Sequence, residues 1–107
     1  MQKRTVQRGR PAGATTFDTE LALAFGAAVR ATRLEHGIAQ ESLAYIAGVE
    51  RSYMGKIERG THMPSLAIIF KIASGLQCST TVLMGKTESL LAATQAVAAD
   101  ALPPEEN

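Results

Sequence analysis

The sequence predicts an all-α protein. Apolar residues recur at helical spacing, and no stretch alternates apolar with polar as a half-buried strand would. The hydrophobic content of 46% includes only 5% aromatic residues, so Leu, Ile, Val and Ala must fill the core. At 107 residues the chain is long enough for one domain with a modest core.

The first stretch, residues 1–16, holds Gly9, Pro11 and Gly13 among basic and polar residues and has no apolar periodicity, so it reads as an arm. Either Arg4, Arg8 and Arg10 reach round DNA or into its minor groove, or the stretch is a merely soluble tail. A first helix is predicted after Thr16 or Asp18, either of which can cap it, running to Glu35 before Gly37 ends it. Leu21, Phe25, Ala28, Val29 and Thr32 share one side, and Ile38 then packs inward.

The stretch from Gln40 to Gly60 reads as two short helices at a sharp corner. Leu43, Ala44 and Ala47 face one core from the first, and Val49, Met54 and Ile57 face it beyond the corner. Gly48 can take positive φ at the bend, and Ala44 is small where the helices cross. This is helix-turn-helix logic. Arg51, Ser52, Tyr53, Gly55, Lys56 and Arg59 are left for the outward side, a set that suits phosphates and base edges.

Beyond the motif, Pro64 closes a loop and Ser65 can cap a fourth helix, whose Leu66, Ile69, Phe70, Ile72, Ala73 and Leu76 predict a central place in the core. Ser79 or Thr80 can cap a short fifth helix through Val82, Leu83 and Met84, stopped by Gly85. Glu88 to Leu102 reads as a sixth, with Leu91, Thr94, Val97, Ala98, Ala101 and Leu102 near one stripe that either lies back on its own domain or pairs with a second subunit. The division is therefore a basic arm at 1–16, a helix-turn-helix domain at 17–86 and an alanine-rich helix or tail at 87–107 that is a candidate dimerisation element.

The net charge of +1 conceals an asymmetry: +4 before Asp18, +1 from Asp18 to Lys86, and −4 from Thr87 on. A basic end of this kind favours a nucleic-acid partner. The lone Cys78 allows no internal disulfide and suits a reducing compartment. No apolar h-region follows the N-terminus, and the longest apolar run, Leu66 to Phe70, is too short to span a bilayer, so a cytoplasmic protein with no membrane association is expected. Enzymatic chemistry finds little to use. There is no glycine-rich phosphate loop and no cluster of His, Cys and carboxylate at metal-ligand spacing, and His36 and His62 lie at opposite ends of the motif. No catalytic residue, metal or cofactor is expected.

From Phe25 the pattern F-G-x-x-V-R-x-x-R-x-x-x-G-I-A-Q-E-x-L-A-x-x-A-G-V, followed by R-S-Y-M-x-K-I-E-R-G and P-S-L, closely resembles the Cro/phage-repressor-like helix-turn-helix family, also called the XRE family. The resemblance implies a five-helix, lambda-repressor-like DNA-binding domain whose third helix lies in the major groove. It places Arg51, Ser52, Gly55 and Lys56 at base-reading positions and Gln40 at a phosphate-holding one. Tyr53, Arg59, Thr61 and His62 are further phosphate candidates, His62 equally readable as an exposed loop residue. Arg33 and Glu58 match an ion pair that recurs in some members. Two departures stand out: Ala39 and Glu50 occupy cap positions where the family usually has serine or threonine. Glu50 either accepts from cytosine N4 or faces water at the helix start.

The expected function is that of a sequence-specific transcription regulator, a repressor by family analogy, binding a palindromic operator on double-stranded DNA as a homodimer. The alternative is an antitoxin-like protein-binding module acting through the C-terminal segment.

Overall fold

A computed structural model describes the backbone of residues 18–101 and the side chains of residues 18–97. The arm that holds Arg4, Arg8 and Arg10 lies outside this described part. Five helices follow in order, α1 (Thr19–Glu35), α2 (Gln40–Ala47), α3 (Arg51–Arg59), α4 (Leu66–Gly75) and α5 (Thr80–Ala101), with no strand among the described residues.

Local chemistry accounts for most boundaries. The Asp18 carboxylate accepts from the Leu21 N–H at 3.0 Å, the Ser65 hydroxyl from Ile68 N–H at 3.2 Å and the Ser79 hydroxyl from Val82 N–H at 3.1 Å. Ala39 and Glu50 make no such bond, so α2 and α3 start without a side-chain cap. Gly48 ends α2 at φ 73°, with its N–H donating to the Tyr45 carbonyl and that of Val49 to the Ala44 carbonyl. This left-handed turn makes the corner between α2 and α3.

Phe25, Val29, Leu43, Met54, Ile57, Ile72, Leu76 and Leu83, drawn from all five helices or their immediate ends, form the buried core. Ile38, Val49 and Cys78 pack against it half-buried. α1 crosses α3 so closely at Gly26 that a Cβ there would run into the backbone carbonyls of Ile57 and Glu58. α3 is thus held closely against α1, and it also packs against α2.

Two expectations about the second half need correction. Leu66 and Phe70 are not core residues: they are 70% and 56% exposed, while Ile72, Ala73 and Leu76 supply the buried side of that helix. The chain also does not stop at Gly85. What reads as a fifth and a sixth helix is one helix of 22 residues, about 33 Å long at 1.5 Å per residue.

The reason lies in tertiary contacts. Just past Gly85, Lys86 Nζ donates to the buried Thr32 Oγ1 at 3.0 Å and lies 3.3 Å from Glu35 Oε1. Thr87 is itself buried, its hydroxyl donating to the Leu83 carbonyl. The Lys86 contacts hold α5 antiparallel along α1, with Leu90 beside Ala28 and Ala31, and override a glycine that costs a helix about 1 kcal/mol relative to alanine. Farther out, Leu91 is half-buried while Thr94 and Val97 are exposed. No single helix among the described residues is long and apolar enough to cross a membrane.

Candidate nucleic-acid interface

The outward side of α3 is built from what the core leaves over. Met54 and Ile57 are fully buried, so helical geometry turns Arg51, Ser52, Lys56 and Arg59 to solvent, and all four are exposed. Glu58, the acid in this helix, is withdrawn from that surface, with its side chain only 3% exposed. The outward face therefore carries three cations, opposed at its start only by the exposed Glu50.

A polar cluster beneath this face fixes its orientation. Arg33 of α1 donates from Nε to Glu58 Oε2 at 2.7 Å and from Nη2 to Oε1 at 3.0 Å, a bidentate pair. The same guanidinium donates from Nη1 to the Ile38 carbonyl at 3.0 Å, just before α2, while Gln40 Nε2 gives Glu58 Oε1 a further bond at 3.0 Å. Hydrogen bonding to Glu58 raises the Arg33 pKa above its ordinary value, with burial opposing and the carboxylate charge assisting. One carboxylate thus joins α1, the start of α2 and the end of α3. The Arg33–Glu58 pair anticipated in the sequence is present, but the contributions of Gln40 and the Ile38 carbonyl are additions that residue spacing could not reveal.

Other candidate residues are placed less simply. Gly55 is buried rather than outward. A Cβ on it would stand 3.1 Å from Arg59 Nη1 and 3.7 Å from Gln40 Oε1, so its bareness makes room for the Arg59 side chain lying back over the helix. Tyr53 is half-buried against the core, and its ring meets His62 edge to face, with centroids 4.6 Å apart. Thr61 donates its hydroxyl to the Lys56 carbonyl at 3.2 Å, closing the end of α3. Gln40 has committed one amide hydrogen to Glu58 and keeps the second. The role of Lys86 could not be anticipated from spacing, because its partners lie 54 and 51 positions away. No group of three or more His, Cys, Asp or Glu side chains arranged to hold a metal occurs among the described residues.

Comparison with known proteins agrees with this geometry. The family model described as helix-turn-helix matches residues 29–83, the span from the second half of α1 into α5. A curated relative, the uncharacterized HTH-type transcriptional regulator YazB of Bacillus subtilis (strain 168), is 42% identical over 55 residues, covering 51% of this chain and 80% of the relative. Among solved structures, the clp gene regulator ClgR from Corynebacterium glutamicum superposes with a TM-score of 0.69 at 28% identity, over 75% of this chain and 84% of that one. The restriction-modification controller protein C.Esp1396I, solved as a tetramer in complex with its natural 35 base-pair operator, gives a TM-score of 0.64 at 27% identity, over 69% of this chain and 97% of that one. With the corner at Gly48, the cationic face of α3 and a family match over half its length, the chain belongs to the XRE-type helix-turn-helix family of DNA-binding transcriptional regulators.

Proposed function

We propose that this regulator binds a palindromic operator as a homodimer, reading base edges in the major groove with Arg51, Ser52 and Lys56. The observation that carries this is the face itself: exposed donors on a helix whose remaining sides are locked to α1 and α2. Arg51 and Lys56 can each donate to guanine O6 and N7, and a bidentate contact is worth about 1 to 3 kcal/mol against the wrong base. Arg59, the remaining hydrogen of the Gln40 amide and the exposed His62 are the donors this reading assigns to phosphates. Thr61 joins them only by giving up its bond to the Lys56 carbonyl, and Tyr53 acts mainly by supporting His62. Gly55 contributes through the room it leaves for Arg59.

One small domain makes few base contacts. A homodimer doubles them, with half-sites about 34 to 36 Å apart, and a structural neighbour found on its operator as a tetramer is in keeping with assembly on DNA. The basic residues Arg4, Arg8 and Arg10 add affinity as an arm, and the protein works in the cytoplasm beside its DNA. The family is one of regulators, not enzymes, and we assign no catalytic step.

Selection of bound DNA from a random pool, repeated with Arg51→Ala and Lys56→Ala, tests the reading. A palindromic consensus in which each substitution relaxes one position per half-site is the expected result. Binding without sequence preference, governed by salt alone, would remove it. The second reading, a protein partner bound through the C-terminal segment, draws on the open cleft along the far half of α5 between Leu90, Ala93, Thr94 and Val97. Loss of such a partner on deleting residues 88–107, with DNA binding intact, distinguishes it.

A further inference from the structure

Glu50 has no task in the reading above. It stands immediately before the first turn of α3, is exposed, makes no cap bond with its carboxylate and belongs to no ion pair among the described residues. Together with Val49 before it, Tyr53 one turn on and Ile68 of α4, it lines an open hollow of about 320 Å³. The two branched aliphatic side chains and the tyrosine ring are each half-buried, and His62 holds the ring edge to face. The hollow thus combines apolar walls with one carboxylate. It opens at the start of α3, and in a helix-turn-helix complex the N-terminal residues of the second helix are those that meet base edges.

We propose that this hollow seats the major-groove edge of 5-methylcytosine, with Glu50 accepting from N4 while the 5-methyl group enters among Val49, Tyr53 and Ile68. The proposal rests on the major-groove reading above and adds one base to it. A carboxylate brought up to DNA is repelled by the phosphates and needs a donor in the groove, and only the amino groups of cytosine and adenine donate there from the base edges of A·T and G·C pairs. Adenine sets the acceptor N7 beside its amino group, which opposes a carboxylate, and has no apolar group for the hollow. Thymine has the methyl group, but next to the acceptor O4. Cytosine alone places a donor next to C5, and its 5-methyl form supplies the apolar group as well.

The two contacts are separable. The hydrogen bond from N4 selects cytosine over thymine, whereas the methyl group selects modified over plain cytosine. Over plain cytosine the apolar part of the hollow stays open to water, so methylation adds apolar burial without desolvating a further polar group.

The test is fluorescence anisotropy of the full chain, at one salt concentration, on the operator selected from the random pool. Each cytosine of one half-site in turn is presented as C·G, as 5-methylcytosine paired with G, or replaced by T·A. At one position wild type is expected to bind the methylated site about fourfold more tightly than the plain one, the worth of one buried methyl group. It should bind the T·A site at least about fivefold more weakly than the plain one. Because the methyl group is on the DNA, the first result needs no variant that must fold. Glu50→Ala should erase the discrimination against T·A. Ile68→Ala, with native helix content confirmed by circular dichroism, should lose the methyl gain and keep that discrimination. Methylation that strengthens binding at no cytosine, or does so equally in Ile68→Ala, overturns the seat, and discrimination against T·A that survives Glu50→Ala overturns the carboxylate contact. Both results leave base reading by Arg51 and Lys56 standing, which binding without sequence preference would remove.

Discussion

Replacement of Glu58 offers the most direct check on how the recognition surface is held. Its side chain is 3% exposed and receives Arg33 Nε at 2.7 Å, Arg33 Nη2 at 3.0 Å and Gln40 Nε2 at 3.0 Å. Glu58→Ala removes all three acceptor contacts and leaves the Arg33 guanidinium, 11% exposed, with only the Ile38 carbonyl. Breaking a buried pair by deleting one partner costs about 3 to 5 kcal/mol, most of it the burden of the stranded charge. At about 4 to 8 °C per kcal/mol for a small domain, the melting temperature should fall by about 12 °C or more. Urea unfolding followed by far-ultraviolet circular dichroism measures the loss as a lower midpoint at constant slope.

The reasoning requires that the two residues act as a unit. Arg33→Ala should cost as much as Glu58→Ala, and the double variant far less than the two together, with a coupling of at least about 2 kcal/mol. An Arg33→Met, Glu58→Leu pair, which removes the charges and keeps the volume, should be more stable than either alanine variant. Costs that simply add, with coupling below about 0.5 kcal/mol, would refute the cluster as the element joining α1, α2 and α3.

Three more outcomes can be measured. Ala39→Ser supplies a hydroxyl at the start of α2, where no side-chain cap bond exists, and should raise stability by about 1 kcal/mol in the same urea assay. Arg59→Ala should weaken binding to all sequences alike and reduce the slope of log affinity against log salt by about 1, read by titration over a salt series; a change in the selected sequence instead would make Arg59 a base reader. The raised Arg33 pKa means that its contribution is complete below the unfolded-state value and is lost only as pH rises through the still higher folded-state one. The stability gap between wild type and Arg33→Met should therefore be flat from about pH 6 to 9, and a gap that closes within that window would place the critical titration on another group.

What could be read from the sequence was what depends on local chemistry. Asp18, Ser65 and Ser79 announce helix starts because a short polar side chain reaches the amide three residues on, and Gly48 marks the corner because the left-handed turn favours a residue without Cβ. Gly85 misled by the same logic: as a local stop signal it was outweighed by Lys86, whose bonds to Thr32 and Glu35 depend on α1 lying alongside. Leu66 and Phe70 misled because periodicity shows that a helix has an apolar face without showing that only part of it is covered. In the site, spacing identified Arg51, Ser52, Lys56 and Arg59 as outward, since burial of Met54 and Ile57 fixes the rotation of α3. It misplaced Gly55, because the position of the Arg59 guanidinium and of Gln40 is a tertiary fact.

The two uncapped helices and the buried cluster are connected. α2 and α3 together span only 17 residues and start at Ala39 and Glu50 with no side-chain cap, so neither is stable as an isolated helix. Their joint orientation must come from elsewhere. Apolar burial of Leu43, Met54 and Ile57 supplies attraction but tolerates small rotations. The Glu58 carboxylate does not: its bonds demand that Arg33 and Gln40 hold one arrangement at once, with Arg33 in turn tied to the Ile38 carbonyl. Because Gln40 begins α2 and Glu58 lies one residue from the end of α3, that arrangement fixes the angle at which the Arg51, Lys56 and Arg59 side chains are presented. Glu58→Gln, which keeps the shape but offers one acceptor oxygen where two are used, should accordingly weaken DNA binding by more than its loss of folded protein explains. Binding that falls only in step with the folded fraction would show that apolar packing alone sets the angle.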